Sequence, residues 1–266
     1  MIERAKLDER LEVGMKIIAV IPARYGSTRL EGKPLKDICG KTMVQRVYEA
    51  AEQAKLLDEV YVATDDQRIV DVVESFGGKA RLTSAQHKTG TDRVAEVAQA
   101  SDAELVVNVQ GDEPLLKGAM IDEVIQPFLD EPDLLMSTLC VPIKKEEELD
   151  NPHVVKAVFD QRGYALYFSR SCIPYPNKRE RFQAYEHLGL YAYRKEFLMT
   201  FVALPQGRLE VTESLEQLRV LEAGYRIKVA VSAHPYEGVS VDTQEDLDLV
   251  RQIVHARMEK LHNVSM

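Results

Sequence analysis

The sequence is poor in cysteine, lacks any long apolar run, and has no cluster of Lys and Arg interleaved with aromatic residues. Its three cysteines, Cys39, Cys140 and Cys172, are scattered across 266 residues. That is too few for a disulfide framework, and without a CxxC pair there is no zinc-binding spacing. Reduced thiols in a cytoplasmic protein are the expectation. No apolar stretch is long enough to span a bilayer, and the first fourteen residues alternate charges without a signal-peptide core, so no membrane insertion is expected. With 34 Lys and Arg against 43 Asp and Glu, the formal net charge is -9. A chain of that sign repels a phosphate backbone, which argues against nucleic acid as a partner. Internal repeats and low-complexity segments are also lacking, which excludes solenoids and disordered arrays.

What is present is a hydrophobic content of 45%, enough to bury a sizeable core. From Met15 onward, short β-branched runs alternate with helical patterns, the signature of a mostly parallel sheet flanked by helices. Residues 1–14 read as a short helical or frayed extension, and 15–266 as one α/β domain. Strands are expected at Ile17 to Ile21, Glu59 to Ala63, Ala80 to Leu82, Leu105 to Val109, Leu134 to Val141, Leu188 to Tyr193 and Ile227 to Val231. Helices are expected from Thr42 to Leu57, Gln67 to Phe76, Glu213 to Glu222, and from Gln244 to the end. The run Lys144-Lys145-Glu146-Glu147-Glu148, followed by Asn151-Pro152, marks a solvated connection. After it, Val154 to Phe159 and Ala165 to Phe168 read as a hairpin within a smaller β-rich lobe, roughly 150–210, that covers the sheet or pairs with a second subunit.

The first strand runs into Pro22-Ala23-Arg24-Tyr25-Gly26-Ser27-Thr28-Arg29-Leu30-Glu31-Gly32-Lys33-Pro34. Open α/β sheets present their ligand crevice at such strand ends, and backbone N–H groups there can cradle phosphate, with Arg24 and Lys33 supplying charge. Walker A spacing fails: five residues separate Gly26 from Gly32, and Pro34 stands where a Ser or Thr is required. There is no GxGxxG either. Asp112 and Asp242 each follow a short apolar strand, Leu105 to Val109 and Val239 to Val241 respectively, and would project into the same crevice. A pair of aspartates without a His/Cys cluster suits Mg²⁺, which keeps several waters and takes one or two carboxylates plus substrate phosphates. Asp242, just before Thr243-Gln244-Glu245-Asp246, reads equally as a helix N-cap.

At these positions the chain resembles the 3-deoxy-D-manno-octulosonate (Kdo) cytidylyltransferases, the CMP-Kdo synthetases. The likeness begins at Met15 and runs almost to the C-terminus. It is carried by Ile21 to Leu35, by Thr89-Gly90-Thr91-Asp92-Arg93, and by Asn108-Val109-Gln110-Gly111-Asp112-Glu113-Pro114. Tyr164-Ala165-Leu166-Tyr167-Phe168-Ser169-Arg170, His187-Leu188-Gly189, Leu215-Glu216-Gln217-Leu218-Arg219 and Val241-Asp242-Thr243 continue it. Glu31 departs from the pattern, standing where such loops usually carry proline.

The resemblance implies a nucleotide-diphospho-sugar transferase-like (Rossmann-like) α/β fold, a nucleotidyltransferase using CTP and Kdo, Mg²⁺ as cofactor, and a homodimer built partly from the middle lobe. By motif position, Arg24, Arg29 and Lys33 would contact the triphosphate, and Ala23, Gly90 and Thr91 the nucleotide. Asp112 and Asp242 would bind the metal and, with Lys33, carry catalysis. Arg93, Gln110, Arg170, His187, Glu213 and Gln217 would face the sugar acid. Guanidinium groups such as Arg93 and Arg170 can grip a carboxylate in two-pronged fashion, although both are also ordinary ion-pair partners. Bare sequence reads His187 more readily as a hydrogen-bonded structural histidine than as a substrate ligand. Glu213 and Gln217, four apart, are expected to share a helix face. The same pattern admits another acid (8-amino-Kdo or a sialic acid), a catalytically silent nucleotide-binding module, or, against the failed Walker spacing, a kinase.

Overall fold

The computed structural model describes residues 14–26, 29–236 and 238–264; the expected N-terminal extension lies outside them but for Gly14. The chain forms two compact units. One holds Lys16–Asp102 and Asn108–Ala119 together with the chain from Tyr236 onward, and the other holds Ala103–Val107 and Met120–Pro235.

In the first unit, β1 (Ile17–Ala23) follows its apolar sequence IIAVIPA and is buried at six of seven positions. Such continuous hydrophobic runs belong to strands covered on both faces. β2 (Asp37–Ile38) and β3 (Lys41–Thr42) form a small antiparallel hairpin. Its turn, Cys39-Gly40, has φ of 51° and 82°, the doubly left-handed turn that matches strand twist. β4 (Glu59–Thr64) lies parallel to β1, with Ile18 opposite Glu59 and Ala23 opposite Thr64, and β5 (Ala80–Leu82) lies parallel to β4. Three helices connect and follow these strands: α1 (Met43–Glu52), α2 (Gln67–Ser75) and α3 (Gly90–Gln99). Each begins at a side-chain cap that its sequence supplies, respectively Thr42, Asp66 and a reciprocal Thr89/Asp92 box. A C-terminal helix, Gln244–Val264, packs Leu247, Val250 and Val254 on Leu30, Ile38, Met43 and Val241.

The second unit carries β6 (Leu105–Asn108, its last residue in the first unit), α4 (Gly118–Asp130, its first two residues in the first unit), β7 (Met136–Pro142), β8 (Lys156–Phe159), β9 (Ala165–Ser169) and β10 (Tyr185–Arg194). α5 (Lys195–Ala203), α6 (Arg208–Glu213), α7 (Leu218–Glu222) and β11 (Lys228–Val231) complete it. The strand order is β11-β7-β10-β6, with β8 pairing to β10 and β9 to β8. β11 runs parallel to β7, whereas β10 runs antiparallel to it with a register shift between Leu188 and Tyr191. The expected β8–β9 hairpin forms; Asp160 accepts from the N–H groups of Arg162 and Tyr164, and Gly163 takes φ 78°.

The α/β class with a mostly parallel sheet read from the sequence is therefore what the structure has, but three local expectations are corrected. The helix expected to reach Leu57 stops at Glu52, because another stretch of backbone crosses its end: a Cβ on Gly118 would lie 2.6 Å from the Ala54 nitrogen. The helix expected over Glu213 to Glu222 is two helices, broken where Ser214 turns left-handed at φ 52°, ψ 48°. Glu213 and Gln217 consequently share no helix. Val239 to Asp242 is no strand; among the described residues its backbone reaches the Asp112 carbonyl through Val241 N–H at 2.9 Å, without a ladder. Among the described residues no helix is long and apolar enough to cross a membrane.

α6 is tied to α7 by a buried two-pronged ion pair, Arg219 Nε to Glu210 Oε2 at 2.7 Å and Nη2 to Oε1 at 2.5 Å. Both side chains are 7% exposed. Removing one partner of such a pair strands the other charge, whereas removing both leaves none. Arg219→Met is expected to lower unfolding free energy by about 3–5 kcal/mol in urea denaturation, and Glu210→Met/Arg219→Met to recover most of that loss.

Candidate active site

The cleft described first lies in the first unit. β1 ends at Ala23, and the loop after it closes on itself: Gly32 N–H donates to the Tyr25 carbonyl at 3.1 Å and Lys33 N–H to the Leu30 carbonyl at 3.2 Å. Gly32 sits at φ 64°, a left-handed position that glycine takes without steric cost, and starts the short turn Lys33–Leu35. Leu30 is buried against the C-terminal helix, which anchors the underside of the loop. Beside it, Pro22 is approached by two glycines. A Cβ on Gly111 would stand 2.7 Å from the Pro22 carbonyl oxygen, and one on Gly90 3.2 Å from its Cγ. The Thr89-Gly90 and Gln110-Gly111 motifs are glycine-bearing because three chain segments meet here.

Their meeting leaves a cleft of about 330 Å³, lined by Ala23, Arg24, Arg29 and Lys33 from the loop, Gly90 and Arg93 from α3, and Gln110, Asp112 and Asp242. Lys33 Nζ bridges the two aspartates, donating to Asp112 Oδ2 at 2.8 Å and Asp242 Oδ1 at 3.2 Å. Arg29 pairs with the other oxygen of Asp242 at 3.0 Å. Asp242 is not the cap of the helix that follows: Thr243 Oγ1 accepts from Asp246 N–H, and Asp246 accepts from the N–H groups of Asp242 and Thr243. Its carboxylate faces the cleft, paired with Lys33 and Arg29. Among the described residues no group of three or more His, Cys, Asp and Glu could hold a metal, so a cation here would rest on two carboxylates and outside oxygens.

The remaining candidates of this unit have partners of their own. Arg93, 4% exposed, donates to Asp65 Oδ2 at 2.9 Å and to Thr83 Oγ1. Gln110 donates its amide to Asn108 Oδ1 at 3.3 Å. Thr91 is buried inside α3 and does not line the cleft. Among the lining residues not singled out as contacts are His87, Lys88 and Thr89. The signal was the Thr-Gly motif itself, whose loop begins two residues earlier than the motif suggests. His87 meets Glu96, whose carboxyl is held below its usual range by the Ser84 N–H and then by His87.

The second unit holds the other four candidates. Arg170 spends its guanidinium on backbone carbonyls, Nε to Glu213 at 2.7 Å, Nη1 to Pro152 at 2.9 Å and Nη2 to Ser214 at 3.3 Å. The Glu213 carboxylate in turn accepts from Ser169 Oγ at 2.7 Å and Arg170 N–H at 3.0 Å. These bonds hold the turn that splits α6 from α7. His187 lies between the rings of Phe168 and Tyr191, with Nε2 2.9 Å from Thr138 Oγ1. Burial pushes its pKa down to about 3, so it is neutral at physiological pH. Gln217, 3% exposed, keeps its Nε2 without a hydrogen-bond partner among the described residues.

A cationic loop and two convergent aspartates at the carboxyl edge of parallel strands define a nucleotide-binding α/β protein. Comparison with known proteins narrows this class. The cytidylyltransferase family model matches residues 18–227. The 3-deoxy-manno-octulosonate cytidylyltransferase of Geotalea uraniireducens is 52% identical over 249 residues, covering 89% of this chain and 98% of the relative. The enzyme of the same name from Syntrophus aciditrophicus is 50% identical, covering 91% and 98%. Among solved structures, CMP:2-keto-3-deoxy-manno-octonic acid synthetase complexed with CTP superposes with a TM-score of 0.87 at 44% identity, over 91% of this chain and 99% of that one. A 4-diphosphocytidyl-2C-methyl-D-erythritol synthase from Anaerococcus prevotii shares the fold at 15% identity and a TM-score of 0.61, over 94% and 99%. The chain belongs to the cytidylyltransferase family and, within it, to the 3-deoxy-manno-octulosonate cytidylyltransferases.

The depressed pKa of His187 has a consequence for stability. In the folded state the ring resists protonation, while in the unfolded chain it binds a proton below about pH 6.5. Folding stability is therefore lost as pH falls from about 6.5 toward 3, by up to about 1.4 kcal/mol per pH unit. Removing the titrating ring in His187→Gln should flatten this acid-side loss relative to the parent protein, measured by urea denaturation between pH 7 and 4.

Proposed function

We propose that this chain transfers CMP from CTP to the anomeric hydroxyl of Kdo, giving CMP-Kdo and pyrophosphate and so activating Kdo for lipopolysaccharide synthesis. The observation that carries the reading is the meeting of Lys33, Asp112 and Asp242 in one cleft. The names of its half-identical relatives supply the sugar acid and the nucleotide.

The hydroxyl oxygen attacks the α-phosphorus in line, a new P–O bond forms, the α,β-bridging P–O bond breaks, and the hydroxyl proton is lost as pyrophosphate departs. Catalysis of this kind rests on positioning and charge neutralisation. Ala23, Gly90 and the α3 start that Thr91 supports would bracket the nucleoside, while Arg24, Arg29 and Lys33 would offset charge on the phosphates. Asp112 and Asp242 fit a hard divalent ion: both are oxygen donors, and they already hold one cation, the Lys33 ammonium, between them. Mg²⁺ bound there would polarise the α-phosphate and neutralise its developing charge.

Arg93 and Gln110 are proposed to meet the sugar acid, Arg93 as a rigid donor whose net charge Asp65 already matches. His187, Glu213 and Gln217 are proposed as contacts to sugar hydroxyls, with the unsatisfied Gln217 amide the one most in need of a partner. Arg170, with three donors committed to carbonyls, is proposed to act by holding Glu213. A cytoplasmic homodimer built partly on residues 150–210 completes the proposal, supported by Leu166 and Tyr175 in that stretch, which are 64% and 83% exposed.

A pyrophosphate-release assay crossing CTP, UTP, ATP and GTP with Kdo, 8-amino-Kdo and a sialic acid, with and without Mg²⁺, tests the reading. Turnover is expected with CTP, Kdo and Mg²⁺ together; a nucleoside diphosphate product would point to a kinase, and CTP binding without turnover to a silent module. Asp112→Asn should cut kcat by at least about a hundredfold while leaving the circular dichroism spectrum intact. Normal turnover by that variant at saturating Mg²⁺ would falsify the metal assignment.

A further inference from the structure

The loop after β1 presents the cations proposed for the triphosphate, and the first unit contains a contact that steadies it. The guanidinium carbon of Arg68 lies 3.4 Å from the centre of the Tyr25 ring. Arg68 is itself held flat: its Nε and Nη2 donate to the two oxygens of Asp66 at 2.9 and 2.6 Å. Asp66 is the cap of α2 and accepts the Arg68 backbone N–H as well, so the clamp is rooted in the first turn of that helix. At the loop neck, Tyr25 is fixed through its carbonyl to Gly32 N–H, and its ring would stand 3.2 Å from a Cβ on Gly32. The Asp66 carboxylate beside it favours the charged form of Arg68.

We infer that Arg68 is a positioning residue for the nucleotide: by stacking on Tyr25, whose carbonyl is bonded to Gly32 N–H, it keeps Arg24, Arg29 and Lys33 turned to the cleft before substrate arrives. A planar cation stacked on an aromatic face gains both attraction and a fixed orientation, and two-pronged pairing with Asp66 removes the freedom that a lysine would keep. Holding the loop in its binding arrangement lowers the ordering cost when the triphosphate docks. The role of Arg68 rests on the triphosphate-binding reading of the loop, but the clamp itself does not.

Hydrogen exchange of the nucleotide-free protein, read on peptides covering residues 24–33, separates the two. Arg68→Ala and Tyr25→Leu are expected to speed exchange there by several-fold, leaving the C-terminal helix unchanged, whereas Tyr25→Phe should match the parent because the ring face and not the hydroxyl makes the contact. In turnover assays Arg68→Ala should raise KM for CTP about three- to tenfold with kcat and the KM for the sugar acid unaltered, and Arg68→Lys should restore only part of the loss. Unchanged loop exchange in both Arg68→Ala and Tyr25→Leu would overturn the clamp. Faster exchange with an unaltered nucleotide KM would overturn the positioning role. Should another nucleotide support turnover, the proposed substrate is wrong, while the exchange result still decides the clamp.

Discussion

The cleft is organised around one cation shared by two carboxylates. Lys33 lies 79 residues from Asp112 and 209 from Asp242, and its ammonium reaches both only because β1, the Gln110-Gly111 turn and the approach to the C-terminal helix converge at one strand edge. Unpaired, two neighbouring carboxylates would repel each other, and the lysine beside them removes that cost. With Arg29 on Asp242, the four side chains sum to no net charge. The set is thus stable in the free protein, and its donors are of the kind that hold a metal and a phosphate chain.

Convergence of this kind depends on steric economy. Gly111 and Gly90 let two segments close on Pro22, and Gly32 turns left-handed where the loop folds back beneath Tyr25. Leu30 is drawn into the apolar cluster under the C-terminal helix, so the last helix of the chain supports the first loop. A backbone bond, Val241 to Asp112, fastens together the two stretches that supply the acidic pair. The cations of the loop are placed by these backbone contacts.

In the second unit the polar residues have mostly found structural partners. Arg170 is a strap between three carbonyls, and burial makes His187 a neutral hydrogen-bonding group. Their chemistry toward a sugar acid is consequently that of oriented dipoles and not of free charges. Gln217 is the exception, a buried amide still owed a hydrogen bond.

Much of this was legible in the sequence. Apolar runs in β1 and β4 gave the parallel strands because the buried-strand pattern is local, and the Gly/Arg/Lys loop after β1 pointed to an anion site because position at a strand end is nearly as local. The helices starting near Thr42 and Gln67 were legible from their apolar periodicity, whereas the helix Gly90–Gln99, capped by Thr89, was not foreseen because its start was read as a loop motif. Only the tertiary structure decided the rest. The break at Ser214 comes from a guanidinium more than forty residues away, and the early end of α1 comes from the backbone at Gly118. That Asp242 faces Lys33 and does not cap a helix, that Arg93 is already spent on Asp65, and that Tyr25 lies under Arg68 are likewise outcomes of long-range packing. Propensity and capping act over a few residues, so the chain states them itself; which charges meet depends on how distant segments fold together, and no short stretch carries that information.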